Sequence, residues 1–162
     1  MFQIVPMSLS AAEEISGWQY PGEYAIYSFD GSGEAVSELM GGDYVACLME
    51  DQRLTGYFCY GASARIPTVE NDAYEADALD ALDIGLGLRP DLCGAGLGMA
   101  FMECGMAYAR ERLGAKRLRL TVARFNKRAM RLYEKMGFVV EKEVKHKRSG
   151  MDFYVMEWVY KE

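Results

Sequence analysis

Three glycines at alternate positions, in the stretch CGAGLG from Cys93 to Gly98, are the part of this chain best suited to binding an anion. The stretch follows the strand-like run DIGLGLRPD and precedes the helix-like run MAFMECGMAYARERLG. The first amides of a helix lack intrahelical acceptors, and the helix dipole places partial positive charge at that end. Because positions without side chains let the backbone approach an anion closely, this arrangement predicts a phosphate-binding turn.

Two other phosphate motifs do not fit this turn. The P-loop pattern GxxxxGK[ST] needs a Lys followed by Ser or Thr, which this stretch lacks. The dinucleotide pattern GxGxxG fails because Met99 follows Gly98, and the next strand, which ends at Val122, supplies no acid for a ribose. A tight turn that binds nothing is the remaining alternative for Gly94 and Gly96.

A second stretch, LTVARFNKRAMRLYEKMGF, joins a strand to a helix through an asparagine. Asn126 stands where a helix N-cap is expected. Tyr133 shares an apolar helix stripe with Ala129, Leu132 and Met136, so it is predicted to point inward. A stripe of this kind is typical of a core, but a buried hydroxyl also needs a partner.

The formal net charge of −6 is distributed unevenly along the 162 residues. Residues 1–88 hold 15 Asp and Glu against two Arg, whereas residues 89–162 hold 16 Lys and Arg against 9 Asp and Glu. The division favours an anionic ligand for the second part and a cationic one for the first, and the overall acidity argues against nucleic acid. Solvated charged faces explain the same division without any ligand.

The cysteines and the apolar segments limit the class of protein. Cys47, Cys59, Cys93 and Cys104 form no CxxC pair, and the chain has one histidine, so no metal site is predicted. We interpret the cysteines as reduced thiols of a cytoplasmic protein. With no basic leader and no run of about 18 apolar residues, neither secretion nor membrane association is expected.

The order of strands and helices predicts a single domain over residues 1–162. A strand and a helix open the chain, and the runs DYVACLME, RLTGYFCYGASARI and ALDALDIGLGL form an antiparallel meander. A helix over about 97–113, the strand KRLRLTV, a helix from Asn126 and two final strands follow. The predicted fold class is α/β (α+β), a mixed, mostly antiparallel central sheet of about seven strands flanked by about four helices.

The stretches RPDLCGAGLGMAF and LTVARFNKRAMRLYEKMGF, in this order and spacing, resemble the GNAT superfamily of acyl-CoA-dependent N-acetyltransferases. The first resembles the [QR]-x-x-G-x-[GA] loop of that family, and the second resembles its strand, Asn, helix, Tyr and GF segment. Together they cover about Asp83 to Phe138. Cys93 stands where the family usually has Gln or Arg, but backbone amides bind there, so we expect cofactor binding to survive.

The resemblance implies acetyl-CoA as cosubstrate, and it assigns roles to particular residues. The backbone of Leu86, Gly87 and Leu88 would pair with the pantetheine arm. The pyrophosphate would be held by the amides of the turn, formed by Cys93, Gly94, Ala95, Gly96, Leu97 and Gly98. Asn126 would contact the cofactor arm, and Tyr133 would lie near its sulfur and protonate the departing thiolate. The oxyanion donor would be a fourth-strand amide around Gly87 or Leu88.

The sequence does not identify a general base. Two branches of the family carry a glutamate at positions that are Leu82 and Thr121 here. Strand alternation places Asp83 on the face of Gly85 and Gly87, so Asp83 is a candidate base or amine anchor, with an ordinary solvated acid as the alternative. His146 is expected at the surface of a hairpin end, and a water relay is a further candidate.

We therefore expect direct attack of a primary amine on acetyl-CoA within a ternary complex, because no cysteine is paired with a histidine in a recognisable motif. The amine would belong to a small molecule or a peptide, and a homodimer is left open. The alternative from another class is a non-catalytic acyl-CoA-binding or sensing module, which would need the turn but no amine.

Overall fold

The computed structural model describes residues 1–74 and 81–161. These residues form seven strands and four α-helices: β1 (Phe2–Pro6), α1 (Leu9–Ser16), α2 (Gly33–Leu39), β2 (Tyr44–Met49), β3 (Leu54–Tyr60), β4 (Ala81–Leu88), α3 (Gly98–Leu113), β5 (Arg117–Ala123), α4 (Lys127–Met136), β6 (Val139–Lys145) and β7 (Asp152–Val159). Short 3₁₀ helices cover Gly22–Tyr27, Gly61–Ala64 and Pro90–Leu92. The part of the expected fourth strand that covers residues 78–80 lies outside the described residues.

Hydrogen-bonded neighbours follow the order β1-β2-β3-β4-β5-β7-β6. The ladder of β4 with β5 is parallel, and the ladders of β1 with β2, β2 with β3, β5 with β7 and β6 with β7 are antiparallel. This arrangement confirms the predicted fold class. The chain divides into two compact units, Met1–Cys59 with Leu86–Ala107 and Tyr60–Gly85 with Tyr108–Glu162, so β4 begins in the second unit and ends in the first.

In the first unit, close packing of a helix on the antiparallel meander depends on two glycines. A Cβ built on Gly56 would lie 2.5 Å from the ring of Phe101, and one built on Gly105 would lie 2.3 Å from the ring of Phe58. With no side chains at these positions, the rings of Phe58 and Phe101 stack at 4.5 Å between β3 and α3. The stack fixes the start of α3, which follows the glycine turn.

The second unit holds the parallel ladder and the amphipathic helix α4. The ladder pairs only Ala81 to Asp83 with Arg117 to Arg119, although β4 runs five residues further. Helix α4 begins after Asn126, whose side chain accepts a hydrogen bond from the Ala129 N–H, and it ends at Gly137 with φ of 105°. Both helix boundaries therefore follow from local capping chemistry, and the cap at Asn126 is the one that the sequence predicts.

Candidate active site

The turn between β4 and α3 is open to solvent and conformationally dependent on glycine. Gly94 and Gly96 have φ of 78° and 80°, in the left-handed region that other residues rarely adopt. Residues Gly94 to Gly96 are exposed, and a Cβ built on Gly96 would meet no atom within 4 Å. The two glycines thus serve backbone conformation and leave the amides at the start of α3 approachable, which fits a bound pyrophosphate.

Polar contacts anchor the beginning of this turn to β3. The Arg89 N–H donates to the carbonyl of Thr55 at 2.7 Å, and Nη1 of Arg89 donates to the carbonyl of Leu54 at 2.8 Å. The Cys93 thiol lies 3.7 Å from the carbonyls of both Leu88 and Arg89, so it contacts the backbone of the turn. Cys93 therefore helps to hold the turn where the related loops carry Gln or Arg.

The direction of the Arg89 amide determines which amides of β4 face away from β3. Successive residues of a strand point their backbone groups to opposite edges. Because the Arg89 N–H faces β3, the backbone groups of Leu88 and Leu86 face the opposite edge. Of the three residues predicted to pair with the pantetheine arm, these two have their amides on that edge. Packing explains the glycine at position 87, since a Cβ on Gly87 would lie 2.2 Å from the Tyr57 ring.

A tyrosine that sequence reasoning missed reaches the same edge of β4. The Tyr20 hydroxyl donates to the carbonyl of Leu88 at 2.7 Å, and the Tyr20 N–H donates to Oγ of Ser28 at 2.9 Å. Burial raises the pKa of Tyr20 well above its usual value of 10, so the hydroxyl remains a donor. The contact ties the connection between α1 and α2 to the end of β4. The two partners are 68 residues apart in the sequence, so no local sequence pattern predicts this contact.

Asn126 and Tyr133 belong to the second unit. Asn126 is half-buried, and its Oδ1 accepts the N–H of Ala129 at 3.2 Å, which is the predicted cap. Tyr133 is 7% exposed, and its ring lies 5.9 Å from that of Phe138. The inward orientation of Tyr133 follows its apolar stripe. Roles for both residues in the reaction stay predictions.

Asp83 is buried at the end of the parallel ladder, so the alternative of a solvated strand acid is wrong. Its side chain is 2% exposed. Oδ1 accepts from Nε of Arg119 at 2.6 Å, and Oδ2 accepts from Nη2 of Arg119 and from Nε of Arg65, both at 2.8 Å. Arg119 is also buried, and it is the direct register partner of Asp83. Two guanidinium groups therefore already hold this carboxylate.

Tyr74 completes the cluster around Asp83. The guanidinium groups of Arg65 and Arg119 lie 5.4 and 5.1 Å from the centre of the Tyr74 ring. The Tyr74 hydroxyl lies 2.8 Å from Oγ1 of Thr121 and accepts the N–H of Ile66 at 3.2 Å. Thr121, which replaces a glutamate of one branch, is therefore hydrogen-bonded to a tyrosine. Sequence reasoning did not identify Arg65, Tyr74 or Arg119, because each depends on a contact distant in sequence.

Metal-binding groups, membrane-spanning helices and His146 were the remaining subjects of sequence expectations. Among residues 1–74 and 81–161, no group of three or more His, Cys, Asp or Glu side chains could hold a metal ion. In the same part of the chain, no helix has both the length and the apolar character needed to cross a membrane. Nδ1 of His146 accepts the N–H groups of Arg148 and Ser149, at 3.2 and 3.4 Å, within the turn between β6 and β7.

The chain belongs to the acetyltransferase (GNAT) family, whose sequence model matches residues 9–138. This confirms the resemblance carried by the glycine turn and the strand-Asn-helix segment. Two curated mycothiol acetyltransferases, from Salinispora arenicola and Salinispora tropica, are 45% and 43% identical to it over 53 residues. The matched stretch covers 33% of this chain and 17% of each of these relatives.

Solved structures extend the likeness to nearly the whole chain at the level of fold. An acetyltransferase of the GNAT family from Bacillus anthracis superposes with a TM-score of 0.72 at 14% identity, covering 98% of this chain and 94% of that one. A chimera of the spermidine N-acetyltransferase SpeG from Vibrio cholerae and hSSAT gives 0.68 at 16% identity, covering 98% and 95%. At these identities the likeness shows the fold alone.

Proposed function

We propose that this protein transfers the acetyl group of acetyl-CoA to a primary amine, by direct attack of the amine within a ternary complex. The observation that carries the proposal is the exposed turn in which Gly94 and Gly96 adopt left-handed conformations directly before α3. Membership of the acetyltransferase family supports acyl transfer as the reaction class.

Backbone groups of the first unit would hold the pyrophosphate and the pantetheine arm of acetyl-CoA. The amides from Cys93 to Gly98 would hold the pyrophosphate, and the edge of β4 that carries the amides of Leu86 and Leu88 would hold the pantetheine arm. When bound, acetyl-CoA supplies an acyl group attached to a thiol whose pKa is near 8.5, which makes it a good leaving group. We assign the oxyanion donor to Leu86 or Leu88, because the Gly87 amide faces β3. Asn126 would contact the cofactor arm in addition to capping α4.

Tyr133 is the proposed general acid. Its buried ring is held by packing, which limits the positions that its hydroxyl can adopt. A neutral phenol can give its proton to a departing thiolate. The support for this role is the position of Tyr133 within the family's strand-Asn-helix-Tyr segment.

The candidate protein base for the amine is Asp83. For Asp83, the three hydrogen bonds from Arg119 and Arg65 favour an anchoring role in the second unit over proton transfer. We propose that the amine loses its proton to water before it attacks. With an amine of ordinary pKa near 10.4, kcat/KM should then rise about tenfold per pH unit from about pH 6 to 9. A plateau near neutral pH would instead indicate a protein base.

The proposed substrate class is a small cationic amine. Residues 1–88 carry a large acidic excess, which would attract an ammonium group. One of the proteins that share this fold, at 16% identity, is a spermidine N-acetyltransferase chimera, so the fold is compatible with a cationic amine. No disulfide joins the four cysteines, which supports the proposed cytoplasmic location.

A turnover assay tests the proposal directly. Purified protein is incubated with acetyl-CoA and a panel of alkylamines, polyamines, amino sugars and peptide α-amines, while thiol release and the mass of the product are followed. We expect release of one thiol per acetylated amine. Tight binding of acetyl-CoA by calorimetry without transfer to any amine would favour the alternative, a non-catalytic acyl-CoA-binding or sensing module.

A further inference from the structure

Tyr57 on β3 combines a buried ring with a hydroxyl that has no hydrogen-bond partner among the described residues. The side chain is 7% exposed. The ring lies against Gly87, since a Cβ built there would be 2.2 Å from Cε1 and 2.6 Å from the hydroxyl oxygen of Tyr57. The only fully enclosed side-chain polar atom without a partner in residues 1–74 and 81–161 is Nε of Arg117, so the Tyr57 oxygen reaches solvent.

Packing explains the Tyr57 ring but not its hydroxyl. The ring centre lies 6.4 Å from that of Trp18, 5.9 Å from that of Phe29 and 5.9 Å from that of Tyr44. A phenylalanine would make the same ring contacts. A hydroxyl in such an apolar environment is unfavourable unless a partner is available at least part of the time. Water can be that partner when the site is empty, and a ligand with an N–H can replace the water when it binds.

Tyr57 lies on the face of β4 opposite to α3. Gly56 and Phe58 face α3, so strand alternation places Tyr57 on the opposite face. A nucleophile approaches a carbonyl group from above or below its plane. If the thioester lies along the edge formed by the Leu86 and Leu88 amides, Phe101 fills the α3 face. The amine would then arrive on the face of Tyr57.

The charge on this face suits an ammonium group. Residues 8–43, which include α1 and α2, hold 7 Asp and Glu and no Lys or Arg. Among them, Glu38 accepts a hydrogen bond from the hydroxyl of Tyr44 at 2.6 Å, and the Tyr44 ring contacts that of Tyr57. Burial raises the pKa of Tyr57 above its usual value of 10, so its hydroxyl is neutral and its oxygen can accept an N–H.

We propose that Tyr57 is an acceptor-binding residue, whose hydroxyl oxygen receives a hydrogen bond from an N–H of the substrate amine on the face of β4 at Gly87. This inference rests on the proposed acetyl transfer, because it assigns the direction from which the amine reaches the edge of β4. It assigns a primary ammonium as the group that this subsite recognises.

Calorimetric titration of the CoA-saturated protein with n-butylammonium and with butyltrimethylammonium tests the hydrogen bond itself. Both cations attract acidic groups and aromatic rings, but only the first has an N–H to donate. We expect the wild type to prefer n-butylammonium by about tenfold, and Tyr57→Phe to reduce this preference to less than about twofold. Tyr108→Phe, whose ring stacks on Tyr60, is the matched control and should keep the preference.

Two results of the titration and one of the folding test would overturn the inference. A Tyr57→Phe variant that keeps the preference, or a wild type that shows none, overturns it. A Tyr57→Phe variant that fails to fold also overturns it, because the hydroxyl would then serve the fold. Loss of the preference in Tyr57→Phe without acetylation of any amine would leave the subsite and remove the proposed function. Acetyl transfer with an unchanged preference would do the reverse.

Discussion

The turn after β4 and the cluster around Asp83 use their polar groups in opposite ways. In the turn, Gly94 to Gly96 are exposed, and their backbone is presented to solvent. In the cluster, the carboxylate of Asp83 is buried and accepts three hydrogen bonds from Arg119 and Arg65. The amides of the turn are therefore available to bind a ligand, whereas the polar groups of the cluster are paired with one another and stabilise the second unit.

The physical reason for this difference is the cost of taking a charge out of water. A buried carboxylate must be fully paired, because an unpaired charge in the interior is strongly destabilising. Backbone amides at the start of a helix carry only partial charge, so they can remain hydrated until an anion binds. A titratable residue of an enzyme is therefore a weaker candidate for catalysis when its charge is already fully paired and hydrogen-bonded within the fold.

The largest expected effect concerns Tyr133, the proposed general acid. Tyr133→Phe keeps the ring against Phe138 but removes the proposed proton donor. We expect kcat for an accepted amine to fall by about 10² to 10⁴, with little change in stability or in acetyl-CoA binding. The loss should shrink with an acyl donor whose leaving thiol is more acidic. If Tyr133→Phe keeps the wild-type kcat under conditions where chemistry limits the rate, Tyr133 has only a packing role.

Breaking the Asp83 cluster should mainly reduce stability. Asp83→Asn removes the charge that pairs with Arg119 and Arg65, so we expect a loss of about 3–5 kcal/mol in the free energy of unfolding, measured by denaturant titration. Asp51→Asn, at an exposed pair with Arg53, is the control and should change stability little. If Asp83→Asn instead folds normally and loses turnover, Asp83 is the base or amine anchor.

The turn is tested by a substitution with a closely matched control. Gly96→Val puts a branched side chain where an anion would approach, and we expect acetyl-CoA affinity to fall by about a hundredfold or more in calorimetry. Gly150→Val introduces comparable backbone strain, because Gly150 has φ of 70° and also has no atom within 4 Å of a built Cβ. Similar melting temperatures with loss of binding only in Gly96→Val would support the phosphate turn. Equal affinities in both variants would leave the glycines as a tight turn.

The smallest expected effect separates backbone amides from side-chain charge. Lys127, Arg128 and Arg131 are exposed on α4 and are candidates for the phosphates of the cofactor. We expect CoA to bind a few-fold to about tenfold more tightly than its dephosphorylated analogue, and this difference should shrink with added salt. Equal and salt-independent affinities would mean that these three side chains form only a solvated helix face.

The elements that fold by local rules could be predicted closely. The expected helix over about 97–113 corresponds to α3 at Gly98–Leu113, and Asn126 caps α4 as expected. The glycine turn was also found, because its φ angles and its position before a helix depend on neighbouring residues alone. The signals that identify the family lie in these same local segments, which explains why the family could be inferred early.

What the sequence by itself determined, then, is the order of the elements, the turn and the Asn126 cap of α4. Only the tertiary structure showed that Tyr20 reaches Leu88, that Tyr57 lies on Gly87 and that Asp83 is enclosed by Arg119 and Arg65. Each of these contacts depends on strand register or on a loop crossing, which brings together residues at least 18 positions apart. Periodicity shows which face of an element a residue occupies, but it contains no information on which distant residue that face meets.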